Sequence, residues 1–242
     1  FAGLDRTIVD DDSPADSAVF ADGDVFDKAW VGYSLTYENL DDHKKPTEGL
    51  TASLTQTYVG WDYNFLKTEA KARYFMPLNS DLGLVASLKA QGGIINNFSG
   101  TAVSSLETFT YGAQLVRGFT PGGMGPKTVG GEILGYTAYA GISAEVSFPI
   151  PMLPESYGLS GAIFADAGVI AGKGLGPADP ASLLSPIKSS AGASIIWDSP
   201  FGPLRGDMAI PLTGNSTDTY APQPFCSGVY CPSFALTLQT LL

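Results

Sequence analysis

Few side chains in this sequence could do chemistry. His43, the single histidine, sits in DDHKK beside Lys44 and Lys45, a turn-like setting that reads as solvent-exposed. Cys226 and Cys231 bracket four residues in FCSGVYC. In an exported protein such a pair favours a disulfide, with two free thiols as the alternative, and two thiol ligands alone make a poor metal site. There is no GxSxG, no HExxH and no phosphate-cradling glycine loop ahead of a helix. The expectation is a protein that is not an enzyme and uses no cofactor or metal. That leaves Arg117, in QLVRGFTPGGMGPK. Gly118, Gly122, Gly123 and Gly125 let that backbone turn tightly, while Val116 and Phe119 give it apolar side chains to bury. A surface loop needs no such pair, so the loop is expected to tuck inward and carry its arginine with it.

The elements that must position Arg117 read as β-strands. Hydrophobic residues make up 44% of the 242 residues and charged ones only 15%, yet no apolar run is long enough for a transmembrane helix. Glycine, tyrosine and phenylalanine are abundant, which favours strands and turns. A net charge of -11 argues against nucleic-acid binding. Seven of the 24 acidic residues fall between Asp10 and Asp27 with no basic residue among them, the mark of a solvated loop. The opening FAGLDRT carries neither an initiator methionine nor a signal peptide, so the chain reads as a mature protein or a fragment.

Period-two alternation recurs in about ten segments: Phe1–Val9, Trp30–Asn39, Leu50–Trp61, Leu66–Met76, Leu82–Ile95, Tyr136–Ile150, Leu159–Ile170, Ser189–Trp197, Leu204–Leu212 and Ser233–Leu242. In Leu66–Met76, Lys67, Glu69, Lys71 and Arg73 occupy every second position, so all four charges share one face. That pattern suits a soluble sandwich as well as the lumen of a membrane barrel. Connection lengths decide between them. Taking Asp10–Lys28 as outside, the inner turns (Leu40–Gly49, Pro77–Asp81, Pro149–Gly158, Asp198–Pro203) are short. The outer connections (Asn96–Gly135, Ala171–Pro186, Thr213–Pro232) are long, and only Asp62–Phe65 breaks the rule. Short turns on one rim and long loops on the other mark an outer-membrane barrel. The fold expected is all-β, an antiparallel transmembrane β-barrel wall spanning residues 1–242 as one domain.

Four stretches carry a family resemblance. Val116-Arg117-Gly118-Phe119 resembles the VRGF signature of the BamA-type outer-membrane assembly family. SAEVSFPIPMLPES and GAIFADAG resemble the two strands that follow the VRGF loop, and SAGASIIWDSPFGPLRGDMAIPL resembles the penultimate hairpin. The resemblance covers essentially the whole chain and is less close to two-partner secretion pores. It implies that the loop folds into the barrel and that Arg117 pairs with Glu145 and Asp166. It also implies location in the bacterial outer membrane and a role in folding and inserting barrel proteins, without bond chemistry. Family barrels thin the bilayer and open a seam between first and last strands, where an incoming strand is templated. Implied partners are outer-membrane lipid, unfolded β-barrel substrates and accessory lipoproteins. A secretion pore of the same superfamily and a passive porin-like barrel are the alternatives. The sequence departs from the family in two ways. Ten strands and no POTRA domain are readable where the family has sixteen strands and POTRA domains, so the chain is expected to be the C-terminal part of such a barrel, without insertase activity by itself. The chain ends in Leu241-Leu242 where the family commonly ends in an aromatic residue.

Overall fold

In the computed structural model, described for residues 1–8, 25–100, 102–151, 153–154, 157–183, 185–199 and 202–238, the chain forms one ten-stranded sheet. Its strands are β1 (Ala2–Ile8), β2 (Val25–Leu40), β3 (Gly49–Trp61), β4 (Phe65–Asn79), β5 (Leu84–Asn97), β6 (Ala138–Pro149), β7 (Leu159–Ala171), β8 (Lys188–Ser199), β9 (Gly202–Thr213) and β10 (Ser233–Leu238). Each pairs antiparallel with the next, so spatial order follows chain order. Such a meander needs only hairpin connections. Among the described residues no ladder joins β1 to β10.

Several strands run longer than the alternation alone suggests. β2 has 16 residues and β4 has 15, against roughly 9–11 for a strand that just crosses the hydrocarbon core. Their ends therefore stand above the apolar band. β6 starts two residues later than expected, because Tyr136 leaves the sheet to pair with Phe109 of the central loop. The acidic Asp10–Asp24 stretch lies outside the described residues, while Val25–Lys28 belongs to β2.

Register gives the sheet two unlike faces. One carries Val31, Leu35, Tyr58, Tyr74, Met76, Leu88, Ile142, Ile163, Ile195 and Leu236, all exposed. These are large apolar side chains with no protein cover, and a face of this size left bare in water would aggregate. It suits lipid. The other face carries Lys67, Glu69, Arg73, Lys89, Glu145, Asp166, Arg205 and Asp207, and residues 102–137 between β5 and β6 fold over it. Interior packing is concentrated there. Val59, Phe65 and Ile95 of the wall bury against Phe109, Leu115, Val116, Phe119, Met124 and Tyr136.

Candidate functional site

The loop seats where the wall is thinned by glycine. A side chain at Gly141 would drive its Cβ into Leu115 Cδ1, and one at Gly168 would meet Val116 and Leu115 at 3.0 and 3.1 Å. Val116 and Phe119 are almost completely buried, at 0% and 1% exposure. Between them Gly118 adopts φ +99°, where a Cβ is strained. The turn swings the Arg117 side chain back toward β6 and β7 while its apolar neighbours fill the core.

Arg117 reaches both carboxylates. Its Nε donates to Asp166 Oδ2 and its Nη2 to Asp166 Oδ1, each at 2.7 Å, and its backbone N–H donates to Oδ2 at 3.0 Å. Nη1 donates to Glu145 Oε2 at 2.7 Å and Nη2 to Ser143 Oγ at 2.9 Å. The guanidinium lies 3.4 Å from the ring centroid of Phe164, a stacked placement that the planar arginine head favours over a lysine. Burial works against the Arg117 charge, but hydrogen bonds and charge from Asp166, then Glu145, more than offset it and raise its pKa. With Asp166 at 4% and Glu145 at 8% exposure, neither carboxylate could stay charged cheaply without these donors.

The network extends beyond the residues that the motif suggests. Arg205 on β9 grips Glu145 through Nη1 to Oε1 (3.0 Å) and Nη2 to Oε2 (2.7 Å). Its Nε donates to Asp207 Oδ1 at 2.8 Å, and Nη2 to Ser194 Oγ at 2.7 Å. Ser194 in turn donates to Asp207 Oδ1. Glu145 thus accepts from two arginines, one on the loop and one on the wall, tying β6 to β9 across β7 and β8. Arg205 and Asp207 stand two apart in LRGD, so the alternation of β9 already put them on one face. Which acid they would meet was not readable.

Further contacts seat the loop elsewhere. Tyr111 and Tyr139 both donate their hydroxyls to Glu69 Oε1, at 2.6 and 3.0 Å, and Lys67 lies over the ring of Phe109. Burial first, and then Glu69, raises the Tyr111 pKa. Lys28 pairs with Glu107 at 2.5 Å. On the other side, Thr120 N–H donates to Thr219 O, Thr219 N–H to Gly123 O and Ala221 N–H to Gly118 O, at 3.1, 3.0 and 2.9 Å. These bonds splice the VRGF segment to the loop between β9 and β10. That loop holds the Cys226–Cys231 disulfide. His43 is exposed and pairs with Glu38. Among the described residues no group of three or more His, Cys, Asp or Glu is placed to hold a metal.

Fold and site together define a class: a membrane β-barrel wall whose apolar face is turned outward and whose polar face holds an inward loop through one arginine. The chain belongs to the Omp85 superfamily, whose domain model matches residues 5–228. It is 31% identical over 191 residues to the outer membrane protein assembly factor BamA of Neorickettsia risticii, covering 78% of this chain and 25% of that protein. The Neisseria meningitidis serogroup B BamA is 30% identical over 171 residues, covering 60% and 21%. A SAM50-like protein of Schizosaccharomyces pombe is 28% identical over 201 residues, covering 79% and 42%. The crystal structure of BamA from Haemophilus ducreyi lacking POTRA domains 1–3 superposes with a TM-score of 0.72 at 23% identity, over 82% of this chain and 42% of that one. The chain therefore spans between about a fifth and two fifths of the length of these relatives.

Proposed function

We propose that the chain serves in the outer membrane as part of the barrel of an assembly factor that folds and inserts β-barrel proteins. The observation that carries this reading is the seated VRGF loop. Arg117 bridges Glu145 and Asp166 while residues 102–137 cover the polar face, an arrangement unlike a clear conduit. A secretion pore or passive porin would need the polar face free along its length, with the loop displaced. Membership of the superfamily and the names of its bacterial relatives support the assembly role.

In this reading the protein performs no bond chemistry. Its work is done by backbone groups at a strand edge. In hydrocarbon each unpaired N–H or C=O costs several kcal/mol, so a strand with one unpaired side favours pairing with an incoming strand. β10 is held by β9 through Ser233–Leu238 and is the strand we assign to this task. Substrates are unfolded barrel proteins, and accessory lipoproteins are the partners we expect around it.

The test is site-specific crosslinking in a lipid bilayer, with photoreactive groups at Ala235 on β10 and at Gln91 on the inner face of β5. An unfolded barrel protein is expected to crosslink through Ala235 and not through Gln91. Crosslinks confined to Gln91 would support passage through the lumen and overturn the assembly reading.

A further inference from the structure

The inner face holds an electrostatic imbalance that the Arg117 network leaves unresolved. Arg73 on β4 and Lys89 on β5 are direct cross-strand partners. Like charges in that relation destabilise a sheet. Lys71 adds a third cation two residues along β4 on the same face, exposed and without an ion-pair partner among the described residues. The nearest carboxylate, Glu145, stands 3.9 Å from Arg73 Nη2 and already accepts from Arg117 and Arg205. Counting the clustered charges, Arg73, Lys89, Arg117 and Arg205 face Glu145, Asp166 and Asp207, an excess of one positive charge in a chain whose net charge is -11.

The donors of Arg73 and Lys89 are only partly used. Besides its long approach to Glu145, Arg73 Nη2 donates to Ser87 Oγ at 3.4 Å, the guanidinium lies 4.8 Å from the Phe75 ring centroid, and Arg73 Nε is buried with no acceptor. Lys89 Nζ donates only to the backbone carbonyl of Gln114, at 3.3 Å. Both side chains line a cavity of about 150 Å³ bounded also by Ser87, Ser143 and the paired groups of the bridge, so that Arg73, Lys89, Arg117 and Arg205 face only Glu145 and Asp166 across it. At roughly 30 Å³ per water, that space takes about five waters or one carboxylate- or phosphate-sized group. Arginine presents a planar fork to such an oxyanion, and a lysine beside it adds a point charge.

We propose that Arg73 and Lys89 form a binding site for a small oxyanion, either a carboxylate carried by an extended polypeptide on the inner face or free phosphate. An anion bound there offsets the cross-strand repulsion and accepts from the outer guanidinium nitrogens of Arg73 and from Lys89 Nζ. This site does not depend on the assembly reading, because it is read without any barrel substrate. It would stand if that reading fell.

The experiment uses the full chain in detergent micelles, with each variant first checked for folding by circular dichroism and heat-modifiable gel migration. Calorimetric titrations use inorganic phosphate, a short extended peptide with a free C-terminal carboxylate and the same peptide amidated. Saturable 1:1 binding of phosphate or of the free-carboxylate peptide is expected, weakening as salt rises. Lys89→Gln is expected to weaken it about tenfold or more, the scale of one lost charge-assisted hydrogen bond. Lys89→Arg should retain it, and Lys173→Gln in an outer loop should leave it unchanged. A loss on amidation assigns the site to a chain carboxylate. Phosphate binding with no preference between the two peptides assigns it to free oxyanions. If Lys89→Gln does not fold, Arg73→Gln carries the same comparison. No saturable binding of either ligand, or binding unchanged within about twofold in a folded Lys89→Gln or Arg73→Gln variant, overturns the proposal.

Discussion

Replacing Arg117 by alanine should release the central loop, and the structure sets the scale. The substitution removes two of the three donors that Arg117 gives Asp166, leaving only its backbone N–H. Asp166 is 4% exposed, so its charge is stranded. Glu145 loses one donor but keeps both contacts from Arg205. Removing one partner of a buried pair costs about 3–5 kcal/mol, and the surviving Arg205 grip puts the expected value at the lower end. About 3 kcal/mol raises the open population of the loop roughly 150-fold. Trypsin reads this directly. Lys127 is buried in the loop, its N–H facing Ser182 Oγ and its Nζ donating to Thr217 O, so cleavage after it requires the loop to leave. When opening is fast relative to cleavage, the rate follows the open population. Cleavage at Lys127 should accelerate by about two orders of magnitude, and Arg117→Glu should exceed Arg117→Ala. A rate within about twofold of the parent would show that the bridge does not hold the loop, and would refute the reasoning.

Four more outcomes are expected. Arg205→Ala should loosen the wall more than the loop: Glu145 keeps Arg117, but β9 loses its tie to β6, so thermal stability should drop by about 3 kcal/mol with little change in Lys127 cleavage. Gly118→Ala should cost about 1–2 kcal/mol, since its φ is +99° and the new Cβ would stand 3.1 Å from Ser233 Oγ; unchanged unfolding and cleavage would show that the turn tolerates a side chain. Reducing the Cys226–Cys231 bond, whose partners are 5 apart in sequence, should cost no more than about 2 kcal/mol because the closed loop is short, and thiol reagents should label the cysteines only after reduction. In the turn between β2 and β3, Asp41 accepts from the Thr47 hydroxyl and from the backbone of Glu48 and Thr47, which hold its carboxyl well below the usual range. A depressed carboxylate stabilises above its ordinary pKa and stops doing so only as pH falls through the lowered value. Amide signals of Thr47 and Glu48 should therefore stay in place at pH 4 and shift only in stronger acid; movement near pH 4 would refute this.

Strand content and facing were legible in the sequence because they are local. A strand sends residues i and i+2 to the same side, so Lys67, Glu69, Lys71 and Arg73 declared a shared face from spacing alone, and Val31, Tyr33, Leu35 and Tyr37 declared the other. Turn and loop lengths then separated barrel wall from sandwich, since only a membrane wall has reason to keep one rim short. The glycines around Val116, Arg117 and Phe119 marked an inward loop because apolar side chains flank a charge there.

Tertiary structure decided who meets whom. The convergence of Arg117 and Arg205 on Glu145 depends on the register of β6 through β9 and on a loop, residues 102–137, that returns across the sheet. Neither is a property of neighbouring residues. The same holds for Glu69, which receives hydroxyls from Tyr111 and Tyr139, 42 and 70 residues away. It holds again for Arg73 opposite Lys89, which only the β4–β5 pairing brings side by side. Local alternation chooses a face for each side chain. Cross-strand register and loop closure, set by burial over the whole wall, choose its partner.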